Sequence, residues 1–239
     1  MLTRLIERFP IMKGLLDFVY PPLCAGCGQF AESPHCICEE CLRRIEWLDS
    51  AIPLTDIDHT PDGLADDGRS RSFQAFIAAS YVDPLRQIII QYKFRGAVAI
   101  APALAQRLCD QFGKKIKKLE PAVLVPIPLH PSREFDRGYN QAVIFAEAVS
   151  RLTDIPVDDS ILVRVRKRRP QSKLGKSKRV ANIRSVFALA PGVDPAEKCS
   201  RVILVDDVIT SGQTVFEARR TLRAAGFDVV GAVAMAHRL

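Results

Sequence analysis

The spacing of apolar residues changes at about residue 73 of this 239-residue chain. Beyond that point, short runs rich in β-branched residues alternate with stretches in which apolar residues recur at every third or fourth position. The pattern predicts βαβ units and an α/β domain with a mostly parallel sheet flanked by helices. The predicted strands are residues 75–81, 123–127, 202–205 and 229–235, and the predicted helices are residues 84–93, 101–112, 141–152 and 214–225.

Residues 1–72 have a different pattern. Apolar residues at helical spacing predict an amphipathic helix within residues 1–19, interrupted near Pro10. A cysteine-rich module occupies residues 20–48, and residues 49–72 have the Asp, Gly, Pro and Ser content of a linker. The predicted order is therefore a helix, a small module, a linker and an α/β domain of residues 73–239.

The composition is that of a globular protein, with 48% hydrophobic and 26% charged residues. Uncharged apolar stretches such as residues 122–129 are far shorter than the ~20 residues that a membrane helix needs. Lys13 and Asp17 interrupt the apolar residues near the N-terminus, so no signal-peptide core is predicted. We expect a cytoplasmic protein that does not insert into a membrane.

Five of the seven cysteines lie between residues 24 and 41. Two CxxC pairs place four thiolates where they can surround one ion tetrahedrally, which predicts zinc. The predicted ligands are Cys24, Cys27, Cys38 and Cys41. Four protein ligands leave no open position for a substrate, so the site should be structural. Cys36 or His35 could replace Cys38 in this set, and the spacing does not decide between them.

A second motif spans residues 202–214, where an apolar strand leads into two acids and a loop of small residues that opens a helix. The carboxylates of Asp206 and Asp207 can accept hydrogen bonds from neighbouring ribose hydroxyls. Backbone N–H groups and hydroxyls in the loop can hold a phosphate monoester. The loop residues are Thr210, Ser211, Gly212, Gln213 and Thr214. A simpler alternative is that the acids only cap the following turn.

The net charge of +7 is unevenly distributed. Residues 164–184 contain ten basic residues and no acid, which points to a polyanionic partner. We define the basic segment as residues 164–184. Its candidate nucleic-acid-binding residues are Arg164, Arg166, Lys167, Arg168, Arg169, Lys173, Lys176, Lys178 and Arg179.

Residues 202–214 resemble the phosphoribosyl pyrophosphate (PRPP) motif of type I phosphoribosyltransferases. Further motifs at residues 92–96 (YKFRG), 126–131 (PIPLHP) and 137–142 (RGYNQA), with the N-terminal cysteines, resemble the ComF family, also called GntX. The resemblance also includes Gln171, Arg179 and Asn182 and runs from about residue 20 to the C-terminus. It implies a double-zinc-ribbon-like module before a type I phosphoribosyltransferase-like domain and, for some members, a role in DNA uptake during natural competence.

The resemblance also implies roles for individual residues. Asp206 and Asp207 would bind the ribose and act as the catalytic pair, and the loop at residues 210–214 would hold the 5′-phosphate. Arg133 and Arg137 would contact the pyrophosphate, with Lys93 as a further PRPP-binding candidate. Magnesium would arrive bound to the pyrophosphate, since Mg²⁺ is usually held through substrate phosphates and water. Arg133 and Arg137 could instead pair with neighbouring acids, and Lys93 could be a solvated helix end.

These observations predict a ComF-type protein that binds PRPP with Mg²⁺ and supports DNA uptake, by contacting single-stranded DNA and a protein of the competence machinery. The alternative is a phosphoribosyltransferase acting on a base or amine in nucleotide metabolism, and a non-catalytic PRPP sensor fits the same motifs. The basic segment could lie along a nucleic-acid backbone, close over PRPP, or form only a solvated run of charge.

Overall fold

The computed structural model describes residues 22–31, 36–54, 73–165 and 186–238. The predicted N-terminal helix, most of the predicted linker, His35 and residues 166–184 of the basic segment lie outside the described residues. The described helices are α1 (Glu39–Arg44), α2 (Leu85–Phe94), α3 (Ile100–Lys117), α4 (Pro131–Arg137), α5 (Gln141–Thr153) and α6 (Gln213–Ala224). The described strands are β1 (Ile52–Leu54), β2 (Phe73–Ser80), β3 (Val123–Pro126), β4 (Leu162–Arg164), β5 (Phe187–Leu189), β6 (Arg201–Ile209) and β7 (Asp228–His237).

Five strands form one sheet in the order β1-β2-β7-β6-β3. The β2–β7, β7–β6 and β6–β3 pairs are parallel, and only the edge strand β1 pairs antiparallel, with β2. Parallel strands need crossover connections, which the helices between them supply. The predicted α/β class with a mostly parallel sheet is confirmed.

Both faces of the sheet are covered, which explains why its strands are apolar with little alternation. One face contributes Ile77, Leu204 and Ala234 to a core cluster that also contains Val215 and Leu222 of α6. On β2, the neighbouring Phe76 points to the opposite face, since side chains alternate along a strand. Its ring lies 5.7 Å, between centroids, from that of Phe112 on α3.

The four predicted strands and four predicted helices are all present, with shifted ends. The main difference is at β6, which continues through the acid pair and ends at Ile209 rather than at residue 205. Strand β1 lies inside the predicted linker, and α4 lies in a segment for which no helix or strand was predicted. Gly226 follows α6 with a φ of 96°, as expected for a glycine just beyond a helix.

The chain divides into two compact units. One unit comprises Met1–Glu46 with Val82–Ile100, so α2 is grouped with the cysteine module. The other comprises Trp47–Tyr81 with Ala101–Leu239 and contains the whole sheet. The boundary predicted at residue 73 had assigned residues 82–100 to the α/β domain.

A separate two-stranded sheet joins the ends of the basic segment. Strands β4 and β5 pair antiparallel, with Arg164 opposite Phe187. Beyond the strands, the Val165 N–H donates to the Val186 carbonyl over 2.9 Å, and the Arg164 guanidinium carbon lies 5.5 Å from the centroid of the Phe187 ring. The chain therefore leaves this hairpin at residue 165 and returns to it at residue 186.

Within the described ranges, every helix is too short or too polar to traverse a lipid bilayer.

A partly buried ion pair connects the segment after α5 with the segment before β6. Lys198 Nζ lies 2.7 Å from Asp158 Oδ2, and Asp158 also accepts hydrogen bonds from the backbone and hydroxyl of Ser160. Burial alone would raise the pKa of Asp158, but the hydrogen bonds from Lys198 and Ser160 outweigh it and lower the pKa below its ordinary value. The carboxylate is therefore stabilised in the folded state.

We predict that Lys198→Met lowers the free energy of unfolding by up to about 1 kcal/mol at pH 7. A depressed folded-state pKa contributes stability above the unfolded-state pKa, and this contribution is lost as the pH falls through the folded-state value. The difference between wild type and variant should therefore shrink below about pH 4. Urea unfolding at several pH values measures it. Lys117→Met is the control, because its pair with Asp154, at 3.1 Å, is far more exposed and should contribute less. A pH-independent difference would contradict the assignment.

Candidate functional site

The two CxxC pairs converge on one point in the first unit. The ligand atoms of Cys24, Cys27, Cys38 and Cys41 all lie within 4.8 Å of one another. The Sγ atoms of Cys27 and Cys38 are 3.7 Å apart, close to the roughly 3.8 Å that a tetrahedron with Zn–S bonds of about 2.3 Å requires. The set includes Cys38 rather than Cys36, which resolves the choice between these two cysteines, while His35 lies outside the described residues. The geometry fits a structural zinc ion.

Backbone N–H groups point at the sulfur atoms of this cluster. Gly26 N–H and Cys38 N–H donate to Cys24 Sγ over 3.4 and 3.3 Å, and Cys41 N–H donates to Cys38 Sγ over 3.4 Å. Burial acts to raise the pKa of Cys24, but the N–H donors of Cys38, Cys27 and Gly26 lower it to about 6. Burial and the neighbouring sulfur atoms raise the pKa of Cys41. The cluster thus favours negative charge on Cys24, as a metal ligand requires.

A side chain is excluded at Gly26. A Cβ atom at this position would lie 2.8 Å from Cys41 Sγ and 3.3 Å from Cβ of Pro84. The glycine inside the first CxxC pair therefore allows the second pair to approach it.

In the second unit, four parallel strands end at one edge of the sheet. Because β2, β7, β6 and β3 run in the same direction, their carboxyl ends meet there, as in open α/β sheets that bind ligands. The segment after β3 is fixed to β6 by a 2.8 Å hydrogen bond from Ile127 N–H to the Val205 carbonyl. The loops that follow β3 and β6 are therefore neighbours at this edge.

Asp206 and Asp207 lie inside β6, just before its end. Side chains alternate along a strand, so the two carboxylates project to opposite faces of the sheet. Asp206 is half-buried, and its Oδ1 accepts a 2.8 Å hydrogen bond from the backbone N–H of Asp207. Asp207 is only 9% exposed. The backbone of the strand therefore fixes the Asp206 carboxylate, and Asp207 is nearly enclosed.

The loop after β6 turns into α6 at Gly212, which has a left-handed φ of 72°. A Cβ atom there would lie 2.9 Å from Cε2 of Phe216, so only glycine suits both the dihedral angle and the space. The Gly212 carbonyl accepts a 2.9 Å hydrogen bond from Phe216 N–H. The first N–H groups of a helix have no partner within it, so this turn directs donors toward the carboxyl edge.

The segment after β3 forms the short helix α4, which contains no buried residue. Its start is capped by His130, whose Nδ1 accepts a 3.2 Å hydrogen bond from the Ser132 N–H. It ends at Gly138, with φ 77°, whose N–H donates to the Glu134 carbonyl over 2.7 Å. Arg133 is exposed and Arg137 half-buried on this helix, so the predicted pyrophosphate residues stand on a capped helix rather than on an irregular loop.

Two buried polar residues that the sequence analysis did not assign hold this helix in position. Asn140 Nδ2 donates to the Ile127 carbonyl over 3.1 Å, and its Oδ1 caps α5 by accepting the Ala142 N–H over 3.0 Å. Gln141 is fully buried, and its Oε1 accepts a 3.0 Å hydrogen bond from Arg137 Nη1. The sequence signal that could have identified them is two polar residues shortly after Gly138, at the start of the apolar helix α5.

The predicted site residues are only partly brought together. Asp206, Asp207, the loop at residues 210–214 and the α4 arginines belong to the same sheet edge. Lys93 is in the last turn of α2, in the other unit, and its PRPP role stays a prediction. Of the basic segment, Arg164 packs on Phe187, while Arg166, Lys167, Arg168, Arg169, Lys173, Lys176, Lys178 and Arg179 lie outside the described residues.

Two family matches cover the two parts of the chain. Residues 140–239 match the phosphoribosyl transferase domain, and residues 15–52 match the double zinc ribbon domain. Among solved structures, orotate phosphoribosyltransferase from Aeropyrum pernix covers 80% of this chain and 75% of its own, at 14% identity and a TM-score of 0.35.

Similar proteins come from several bacteria. Competence protein F of Haemophilus influenzae is 34% identical over 157 residues, which are 64% of this chain and 68% of that protein. DNA utilization protein YhgH of Escherichia coli K12 is 27% identical over 211 residues, 87% of each chain. Competence protein ComFC of Bacillus subtilis is 29% identical over 205 residues, 85% of this chain and 72% of that protein.

The cysteine cluster and the mostly parallel sheet define a protein that combines a zinc-ribbon module with a phosphoribosyltransferase-like domain. The chain belongs to the ComF family.

We predict that the purified protein contains about one zinc ion per four-cysteine set. Cys27→Ser should lower the zinc content and the resistance of the cysteine module to proteolysis, because a structural zinc site contributes folding free energy. Metal analysis and limited proteolysis measure the two effects. Cys36→Ser, which alters a cysteine of the module outside the set, is the matched control and should keep the metal. Equal zinc loss in both variants would disprove the ligand assignment.

Proposed function

We propose that this protein binds PRPP with Mg²⁺ at the carboxyl edge of its sheet and takes part in DNA uptake, where it contacts single-stranded DNA. The observation that supports PRPP binding most is the junction of β6 and α6. Two acids near the end of the strand are followed at once by a glycine turn and the N–H groups of a helix. A carboxylate at the end of the strand can accept hydrogen bonds from ribose hydroxyls on its own face of the sheet. A helix N-terminus suits a phosphate.

The remaining groups of PRPP have partners at the same edge. The 5′-phosphate would bind at residues 210–214, where Thr210, Ser211 and Thr214 add hydroxyl donors to the backbone N–H groups. The pyrophosphate would meet Arg133 and Arg137, and the Gln141 hydrogen bond fixes the second of these guanidinium groups. In the described part of the chain, three or more metal-binding groups come together only at the cysteines, which supports Mg²⁺ arriving with its phosphates.

The DNA role is supported by the relatives and by charge. The similar proteins are named for competence and for DNA utilization. The basic segment holds ten cations without an acid, and the β4–β5 hairpin joins its two ends. Cations along a chain bind phosphate backbones through counterion release, which needs no base readout and suits single-stranded DNA of any sequence.

A phosphoribosyltransferase that acts on a base or amine is the second candidate, favoured by the match to the phosphoribosyl transferase domain. In this function, the acids of β6 would orient the sugar, while the arginines and Mg²⁺ would stabilise the departing pyrophosphate. Pyrophosphate release that depends on one small acceptor would support it over PRPP binding alone.

We predict saturable binding of PRPP with Mg²⁺ in a calorimetric titration, and its loss in Asp206→Asn/Asp207→Asn. The double variant keeps the shape of the site and removes the acceptor charge. The matched control is Glu120→Gln/Asp228→Asn, which removes two exposed carboxylates near the start of β3 and at the start of β7, on the opposite edge of the sheet. Absence of binding in the folded wild type would refute the proposal, and so would equal loss in both double variants.

We predict that Lys173→Ala/Lys176→Ala/Lys178→Ala weakens binding of single-stranded oligothymidylate about tenfold or more at moderate salt and reduces the slope of log affinity against log salt by about 2. Fluorescence anisotropy across a salt series measures both. Lys114→Ala/Lys115→Ala/Lys118→Ala removes the same charge from exposed positions on and just beyond α3 and should leave the affinity nearly unchanged. An equal effect of the two triple variants would show that only net charge matters.

A further inference from the structure

His237 ends β7, the central strand of the sheet, directly beside the loop at residues 210–214, which we call the phosphate loop. Its backbone pairs on one side with Ser80 and on the other with Ile209. Tyr81 N–H donates to the His237 carbonyl over 2.7 Å, and the next residue, Arg238, donates to the Ile209 carbonyl over 3.0 Å. The imidazole therefore leaves a backbone that is held from both sides, at the point where residues 210–214 begin.

The His237 ring is partly buried and does not belong to the hydrophobic core cluster. The residue is half-buried, and its Nδ1 atom is shielded from solvent without a hydrogen-bond partner. The backbone of Thr210, the first residue of the phosphate loop, hydrogen-bonds to the imidazole in the sense that favours its protonated form. A shielded nitrogen without a partner costs free energy unless a ligand or water completes its hydrogen bonding.

Burial favours the neutral form of the His237 ring. Burial lowers the pKa of His237, and the Thr210 backbone opposes this shift. The titratable groups at this end of the neighbouring elements are Asp206 and Asp207 of β6, Tyr81 after β2 and Glu217 in the second turn of α6, with Arg238 next in sequence. Among the described residues, no charged side chain contributes to the shift. A negative charge arriving at the loop would therefore be the main electrostatic influence on this ring.

We propose that His237 is a proton-accepting positioning residue of the phosphate loop, which takes up a proton from solvent at its imidazole when a phosphate dianion binds at residues 210–214. The neutral ring carries one proton, and the second comes from the buffer and returns to it when the ligand leaves. As an imidazolium the ring has two donors, one for the Thr210 carbonyl and one, at Nδ1, for the ligand. This inference rests on the proposed binding of PRPP.

Proton uptake at His237 makes the affinity for PRPP depend on pH. Binding that takes up a proton weakens as the pH rises, because the free protein must then be protonated at greater cost. His237→Asn keeps a polar side chain at the strand end but cannot take up the proton. Losing one charge-assisted hydrogen bond should weaken PRPP binding about tenfold at pH 6.5 and less at pH 8.5.

The test is calorimetry of PRPP with Mg²⁺ in buffers of different ionisation enthalpy, between pH 6.5 and 8.5. The wild type should take up a fraction of a proton per PRPP, and His237→Asn should lose this uptake and have a flatter pH profile. His59→Asn, which replaces a histidine of the predicted linker, is the matched control and should keep both. Protonation of the ligand phosphates contributes equally to all three proteins, so it cancels in the comparison.

The outcomes separate this inference from the proposed function. A wild type that binds no PRPP refutes the function and the inference together. PRPP binding with the same proton uptake in wild type and His237→Asn refutes the inference alone. If His237→Asn unfolds, NMR titration of the histidine ring protons of the wild type decides: PRPP should raise the pKa of one ring that is unaffected by His130→Asn, and no such ring would overturn the proposal.

Discussion

Parallel pairing of β6 with β3 and β7 governs the arrangement of the second unit. It brings the carboxyl ends of these strands to one edge, so that residues more than 70 positions apart in sequence become neighbours. Every group at the candidate site in this unit is fixed through that pairing. The acids lie in β6, the α4 arginines follow β3, and His237 ends β7. Alternative pairing of any one strand would disperse the site without changing a single residue of it.

The strands and helices of the α/β domain, and the parallel direction of most strands, could be predicted from the sequence. Buried parallel strands read as continuous apolar runs, and amphipathic helices separate them, so both signals are local. The acid pair and the glycine loop were recognisable for the same reason, since the ligand groups are consecutive in sequence. The two CxxC pairs were also recognisable from the local sequence. The choice of Cys38 rather than Cys36 as a member of the cluster required the folded structure.

What could not be predicted depends on long-range contacts. The three residues of β1 are too few for a periodic pattern and form a strand only because β2 offers its edge. Helix α4 buries no residue, so it has no apolar stripe, and it is defined instead by its caps at His130 and Gly138. His237 belongs to no motif, and its place beside the loop at residues 210–214 depends on strand pairing at the end of the chain. The grouping of α2 with the cysteine module is likewise a property of contacts.

The hairpin of β4 and β5 limits how far the basic segment can act. The chain leaves the hairpin at Val165 and returns to it at Val186, so the 20 residues between them start and end at the same place. A chain of that length with both ends at one place extends at most half its contour length, about 35 Å at ~3.5 Å per residue. This bound applies to every basic residue between the two strands. Under the proposed DNA role, a polyanion bound by these residues would therefore stay within that distance of the hairpin.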